Sequence, residues 1–184
     1  MKLKYLLWPV ACVLAILTSA WTPEESDFVP STPSVTWKDR WAAEGVEITA
    51  NLTVHRCLTY LPIVRGEHHV DLDDELVLAL MAAESACDRR MDDGMSVGLM
   101  AVTPRAWTPT HDELLNPAIN VEWGEWLLWS AVYNEKHNPG HNIWRALAAY
   151  NCGWESLDAG KCIDGGGYDY ANDVLNFWLP RFLP

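Results

Sequence analysis

The segment Leu76-Val77-Leu78-Ala79-Leu80-Met81-Ala82-Ala83-Glu84 most constrains what this chain can become. It reads as a helix whose apolar side ends on a carboxylate. Leu76, Leu80 and Glu84 are spaced four apart and share one side of the cylinder. A glutamate on a core-facing stripe is costly unless it is paired or protonated. Desolvation favours the neutral acid, which is the form a general acid must hold at working pH. The ordinary reading is a helix-end glutamate that caps, pairs or faces water. Three fragments downstream lift Glu84 above it by their order: Ser85, then Gly98-Leu99-Met100, then Ala148-Ala149-Tyr150-Asn151.

The beginning of the chain reads as a targeting segment. Lys2 and Lys4 precede an apolar run from Tyr5 to Thr18, and Thr18 and Ala20 suit the small-residue cleavage positions. We expect residues 1–20 to be a signal peptide or signal anchor, since the run is short of the roughly 20 apolar residues of a membrane span. Cys12 does not make a lipoprotein signal, because Pro9 stands where the usual signal has Leu. Pro23, Pro30 and Pro33, among Ser, Thr and acids, mark residues 21–35 as a tether. Residues 36–184 then form the folded domain.

Beyond that segment stand four cysteines, Cys57, Cys87, Cys152 and Cys162. On an exported chain they imply two disulfides, out of three connectivities. Cys152 and Cys162 flank a short glycine-containing loop and suit local closure, which leaves Cys57 with Cys87. Nothing suggests a metal or cofactor: no CxxC spacing accompanies the cysteines, and His68-His69 beside Asp71 and Asp73 reads as a solvated loop. The net charge is −12, and loss of Lys2 and Lys4 takes it to −14. Such a balance argues against nucleic acid and against attachment to anionic lipid, leaving the N-terminal segment as the one expected membrane contact. It is also unexpected in a protein that binds an anionic polymer. Eleven Trp exceed what a core needs, so some are expected to line a groove.

The pattern predicts a mainly helical (α+β) domain with a small hairpin or turn region near residues 90–103, where Asp92-Asp93-Gly94 and Gly98 fall. A helix is expected within Trp37 to Tyr60, and a short one beginning at Pro62. Asp71, Asp73 and Asp74 suit the start of the Glu84 helix as caps. Asn120 reads as the cap of a helix from Val121 to about Lys136 with a stripe of Trp123, Leu127, Ser130 and Tyr133. Asn142 caps Ile143 to Cys152, with Gly153 as its stop. A last helix runs from about Tyr168 to Leu179, with Tyr170, Val174 and Phe177 on one side.

With these elements in place, residues from about Leu61 to Phe182 resemble the soluble lytic transglycosylase catalytic domain, a branch of the lysozyme-like superfamily. The resemblance is carried by Ala146-Leu147-Ala148-Ala149-Tyr150-Asn151-Cys152-Gly153, close to the family's ALAAYNAG. It is also carried by Glu84-Ser85, Gly98-Leu99-Met100-Ala101 with Thr103-Pro104, Leu115-Asn116-Pro117 with Asn120 and Gly124, and Tyr170-Ala171 with Val174. It implies a monomeric, exported enzyme of the periplasm or cell envelope that acts on peptidoglycan glycan strands. Glu84 would first protonate the bond between N-acetylmuramic acid and N-acetylglucosamine, then take the proton of the muramoyl 6-hydroxyl, leaving a 1,6-anhydro sugar. It implies that Tyr150 orients the Glu84 carboxyl by a hydrogen bond, that Met100, Asn151 and Tyr170 shape the cleft, and that Ser85 or Ser96 contacts substrate. Ala101 stands where the family has Gln, so a hydrogen-bonding group of the cleft is missing. Two other readings stay open. One is a goose-type hydrolase in which Asp92 or Asp93 holds the water. The other is a non-catalytic peptidoglycan-binding component of a phage or secretion assembly.

Overall fold

Helix succeeds helix because apolar residues recur at helical spacing between strong stop signals. A computed structural model describes residues 47–66, 71–162 and 167–184 of the chain. The expected signal segment, the tether, the stretch from Trp37 to Gly45 and His68-His69 lie outside the described residues. The helices are α1 (Glu47–Leu58), α2 (Leu61–Gly66), α3 (Asp74–Ser85), α4 (His111–Leu114), α5 (Pro117–Val132), α6 (Ile143–Cys152), α7 (Trp154–Asp158) and α8 (Gly167–Asn172). A π-helical stretch, Asp173–Trp178, and a 3-10 turn, Leu179–Arg181, continue α8.

α3 is the axis of the described domain. Every residue from Leu76 to Ala82 is buried, so the helix is covered on all sides rather than along one stripe. α1, α2 and the π-helical stretch pack around it, while α6 lies against α5 and α8. The single-sided pattern expected for Leu76, Leu80 and Glu84 understates this, because the residues between them are apolar as well. Asp73 occupies the N-cap position without a side-chain cap, contrary to expectation. The neighbouring acids turn elsewhere: Asp74 accepts from Arg65 Nε at 2.9 Å, and Asp71 from Trp129 Nε1 at 3.4 Å. α3 ends in two left-handed residues, with Ala86 N donating to Ala82 O and Cys87 N to Met81 O. Ala86 there adopts φ 50° and Cys87 φ 56°, a left-handed backbone that costs a non-glycine residue about 1–2 kcal/mol.

Both disulfides form as expected, Cys57–Cys87 across 30 residues and Cys152–Cys162 across 10. The first fastens α1 to the strained turn after α3. The hairpin expected near 90–103 is reduced to two isolated bridges, Asp92 with Val97 and Val97 with Val102. α5 starts earlier than predicted: Asn116 is its cap, accepting from Ala118 N at 3.0 Å, and Pro117 takes the first turn. Its buried face runs through Val121, Gly124, Leu128 and Ala131, so the expected stripe of Trp123, Leu127, Ser130 and Tyr133 is only half-buried. Asn142 caps α6 as predicted, accepting from Arg145 N at 3.0 Å, and Gly153 ends it. The last predicted helix is present in three consecutive geometries, with Val174 and Phe177 in the core and Tyr170 at its edge.

Candidate active site

Glu84 sits in the last turn of α3, where the helix leaves the core and its side chain becomes half-buried. Tyr170, from α8, donates its hydroxyl to Glu84 Oε1. Burial pushes the carboxyl up from its ordinary 4.5 to about 7; the Tyr170 hydrogen bond opposes this, and the charge of Asp93 adds to it. Burial, and then the charge of Glu84, push Tyr170 and Tyr150 well above the usual phenol range. Both phenols therefore stay neutral donors wherever the acid titrates.

Tyr150 does not orient Glu84. Its hydroxyl donates to the Met100 carbonyl at 2.7 Å, fastening α6 to the turn Gly98–Ala101. The two phenols enter the same region from α6 and α8, and the one from α8 reaches the acid. The turn is held from behind by Asn120, which is fully buried. Asn120 Nδ2 donates to Val97 O at 2.7 Å and Leu114 O at 3.0 Å, and its Oδ1 accepts from Met100 N at 2.8 Å. Gly98, at φ 79°, lets the chain pass, since a Cβ there would fall 2.8 Å from Leu114 O.

The remaining candidates divide between the turn and the cleft. Met100 is wholly buried and packs onto α5, where a Cβ on Gly124 would fall 2.9 Å from Met100 Cε. It supports the turn rather than lining the cleft. Ser85 Oγ donates toward Leu99 O at 2.7 Å and Met81 O at 3.1 Å, so it joins α3 to the same turn. Ser96 Oγ shares a hydrogen bond with Thr103 Oγ1 at 3.0 Å. Asn151 is exposed near the end of α6. Ala101, at φ 49°, opens onto a cavity of about 240 Å³ whose lining includes Thr103, Arg105, Trp107, Tyr150 and Trp154. Above it Trp107, 56% exposed, meets Trp123 and Trp126 with ring centroids 6.4 and 6.1 Å away.

Asp92 and Asp93 hold a turn. Asp92 accepts from Gly94 N at 2.9 Å and pairs with His111 at 2.9 Å. Asp93 accepts from Met95 N at 2.8 Å and Ser96 N at 2.6 Å. These hydrogen bonds keep both carboxyls below the usual carboxylate range. Among the described residues no group of three or more His, Cys, Asp or Glu is arranged to hold a metal ion. The features absent from the expectations are Asn120 as a buried brace, Arg105 in the cavity and the wholly buried Glu125 on α5. Asn120 carried a usable signal, since an Asn inside a helix loses to its neighbours unless its amide has partners.

A family model for the transglycosylase SLT domain matches residues 63–163. The chain belongs to the transglycosylase SLT family. No curated protein matches it. Membership makes this a mainly helical lysozyme-like domain with a transglycosylase-type action on peptidoglycan, and hence a protein that works outside the cytoplasm. The SLT match spans Glu84, the Gly98–Ala101 turn and Tyr150, but Tyr170 and Cys57 lie beyond it. The hydrogen bond to the acid therefore comes from outside the matched segment.

Proposed function

We propose that the protein is a lytic transglycosylase in which Glu84 serves first as acid and then as base. The observation that carries this is one carboxyl, half-buried and pushed to about 7, with a neutral phenol donating to it. At neutral pH both its forms are populated, which suits a group that must give a proton and then take one. Protonation of the glycosidic oxygen between N-acetylmuramic acid and N-acetylglucosamine lets that bond break through an oxocarbenium-like state. The substrate's own N-acetyl group supports the cation. Glu84, now ionised, accepts the proton of the muramoyl 6-hydroxyl as its oxygen closes onto C1, giving a 1,6-anhydro end with no water consumed. Tyr170 positions the carboxyl and stabilises its ionised form between the two transfers. Tyr150, Ser85 and Met100 act on the turn beside it, and the Trp107 cluster offers an aromatic face to sugar rings.

Asp93 is the one observation on the side of a hydrolase, because its charge is felt at Glu84. Its backbone hydrogen bonds occupy it as a turn former, which favours the single-acid route. The same reading makes residues 1–20 an export segment, residues 21–35 a tether and residues 36–184 the working domain, and two disulfides suit that location. Mass spectrometry of muropeptides released from purified sacculi tests the proposal. Anhydromuramoyl ends are expected from the native protein and none from Glu84→Gln. Reducing ends would establish hydrolysis instead, and unchanged release by Glu84→Gln would remove the acid from its role.

A further inference from the structure

The cavity beside the acid has an electrostatic character that the cleavage chemistry does not use. Its lining contains one cation, Arg105, and no carboxylate. Among the described residues the Arg105 guanidinium makes no ion pair or hydrogen bond, whereas Arg65, Arg90 and Arg145 are paired with Asp74, Asp88 and Asp158. Arg89, Lys136 and Lys161 likewise lack a side-chain partner among the described residues, but of these cations only Arg105 lines the cavity. Its backbone is held in place: Arg105 N donates to Thr108 Oγ1 at 2.6 Å, and Thr108 N to Arg105 O at 3.2 Å. At about 240 Å³ the cavity is smaller than the roughly 300 Å³ at which ligand pockets begin, so it suits one substituent rather than a length of chain. Ala101 leaves this space open, in the position where a longer side chain would project into it. Tyr150 joins the cavity to the acid, since it both lines the space and feels the charge of Glu84.

We propose that this cavity is a carboxylate-recognition subsite in which Arg105 binds an acidic substituent of the polymer beside the bond being cut. The proposal rests on the peptidoglycan-cleaving reading above. Sugar rings of such a strand are uncharged; its anions are carboxylates, on the lactyl ether where no peptide is attached and along the peptide where one is. A guanidinium recognises a planar carboxylate with two parallel hydrogen bonds, a geometry that a lysine does not reproduce. This also answers a difficulty raised by the net charge. A protein at −12 is repelled by an anionic polymer as a whole. A cation set in a cavity whose lining holds no carboxylate turns that repulsion into orientation, because the strand is attracted there.

The sign of that repulsion gives a discriminating test. Sacculi are amidated with carbodiimide and ammonium, so that their carboxylates become neutral primary amides. Binding of Glu84→Gln protein to native and amidated sacculi is then measured by co-sedimentation. Without a carboxylate subsite, so acidic a protein binds the amidated polymer more tightly. We expect the reverse, a preference of roughly 10-fold for native sacculi, as for loss of one charge-assisted pair. Adding Arg105→Gln should abolish or invert that preference, and Arg105→Lys should restore part of it. With Glu84 intact, Arg105→Gln should raise KM roughly 10-fold on native sacculi and leave kcat within about twofold. Tighter binding to amidated sacculi, or a preference undiminished in Arg105→Gln, would overturn the proposal. Cleavage by Glu84→Gln would instead overturn the catalytic reading, and the binding ratio would still report on Arg105.

Discussion

Glu84 and Tyr170 form the pair on which the proposed chemistry turns, and they pull the acid in opposite directions. Burial raises the carboxyl and the phenol's hydrogen bond lowers it, with the balance at about 7. Tyr170→Phe removes the lowering influence, so the carboxyl should titrate higher still. The pH profile of kcat/KM should move to higher pH, with kcat reduced about 10- to 100-fold as the base step loses its positioned, ionised form. A profile that stays in place would show that the phenol does not act on the acid. The same shift sets a stability cost. A folded-state value above the ordinary 4.5 means that the folded protein holds a proton the unfolded chain has released between pH 4.5 and about 7. Stability from this group is therefore full below pH 4.5 and lost as pH rises through 7. Glu84→Gln should stabilise the protein by about 2 kcal/mol at pH 8 and by much less at pH 4, read by urea unfolding at both. The place of Glu84 at the end of an apolar helix was legible because apolar spacing ends on it. Its partner was not: Tyr150 and Tyr170 both lie on helices around the acid, and which hydroxyl arrives is decided by a few ångströms of packing.

Among the elements, α3 and α5 do the placing, and the turn between them is only as firm as its braces. Asn120, wholly buried, ties that turn to α5 with two hydrogen bonds and the end of α4 with a third. Asn120→Ala takes the acceptor from the buried Met100 N–H and a donor from Val97 O and Leu114 O, and should cost about 3 kcal/mol, with a fall in activity as the turn loosens. Asn116→Ala removes a cap and should cost only about 1 kcal/mol. Urea unfolding of the two variants separates these roles, and equal losses would contradict the brace. Capping chemistry at Asn142 and Gly153 was readable because it depends on a few adjacent residues. The start of α5 differs from the expected one because two asparagines compete for the cap, and Pro117 beside the first settles it in the folded chain. The hairpin shrank to isolated bridges because side-chain bonds from Asp92, Asp93 and Asn120 satisfy backbone groups that a ladder would otherwise use.

For the whole molecule, the disulfide Cys57–Cys87 matters most to the site, since it clamps α1 to the left-handed turn directly after Glu84 and Ser85. Replacing both cysteines by Ala should cost about 4 kcal/mol for its 30-residue separation, against about 3 for Cys152–Cys162 at 10. Denaturant unfolding checks the order, and only the first removal is expected to lower kcat. Read alone, the chain determined the helical class, both cysteine pairings, the family and the carboxylate that closes its most apolar helix. Helical periodicity, local stop signals and short motifs are written in neighbouring residues. Only the tertiary structure decided that α3 is buried on every side, that Tyr170 rather than Tyr150 meets Glu84, that Met100 and Ser85 serve the turn, and that Arg105 lines a cavity without a carboxylate. Those outcomes depend on distances between residues far apart in the chain, set jointly by how every helix packs, and no local pattern encodes them.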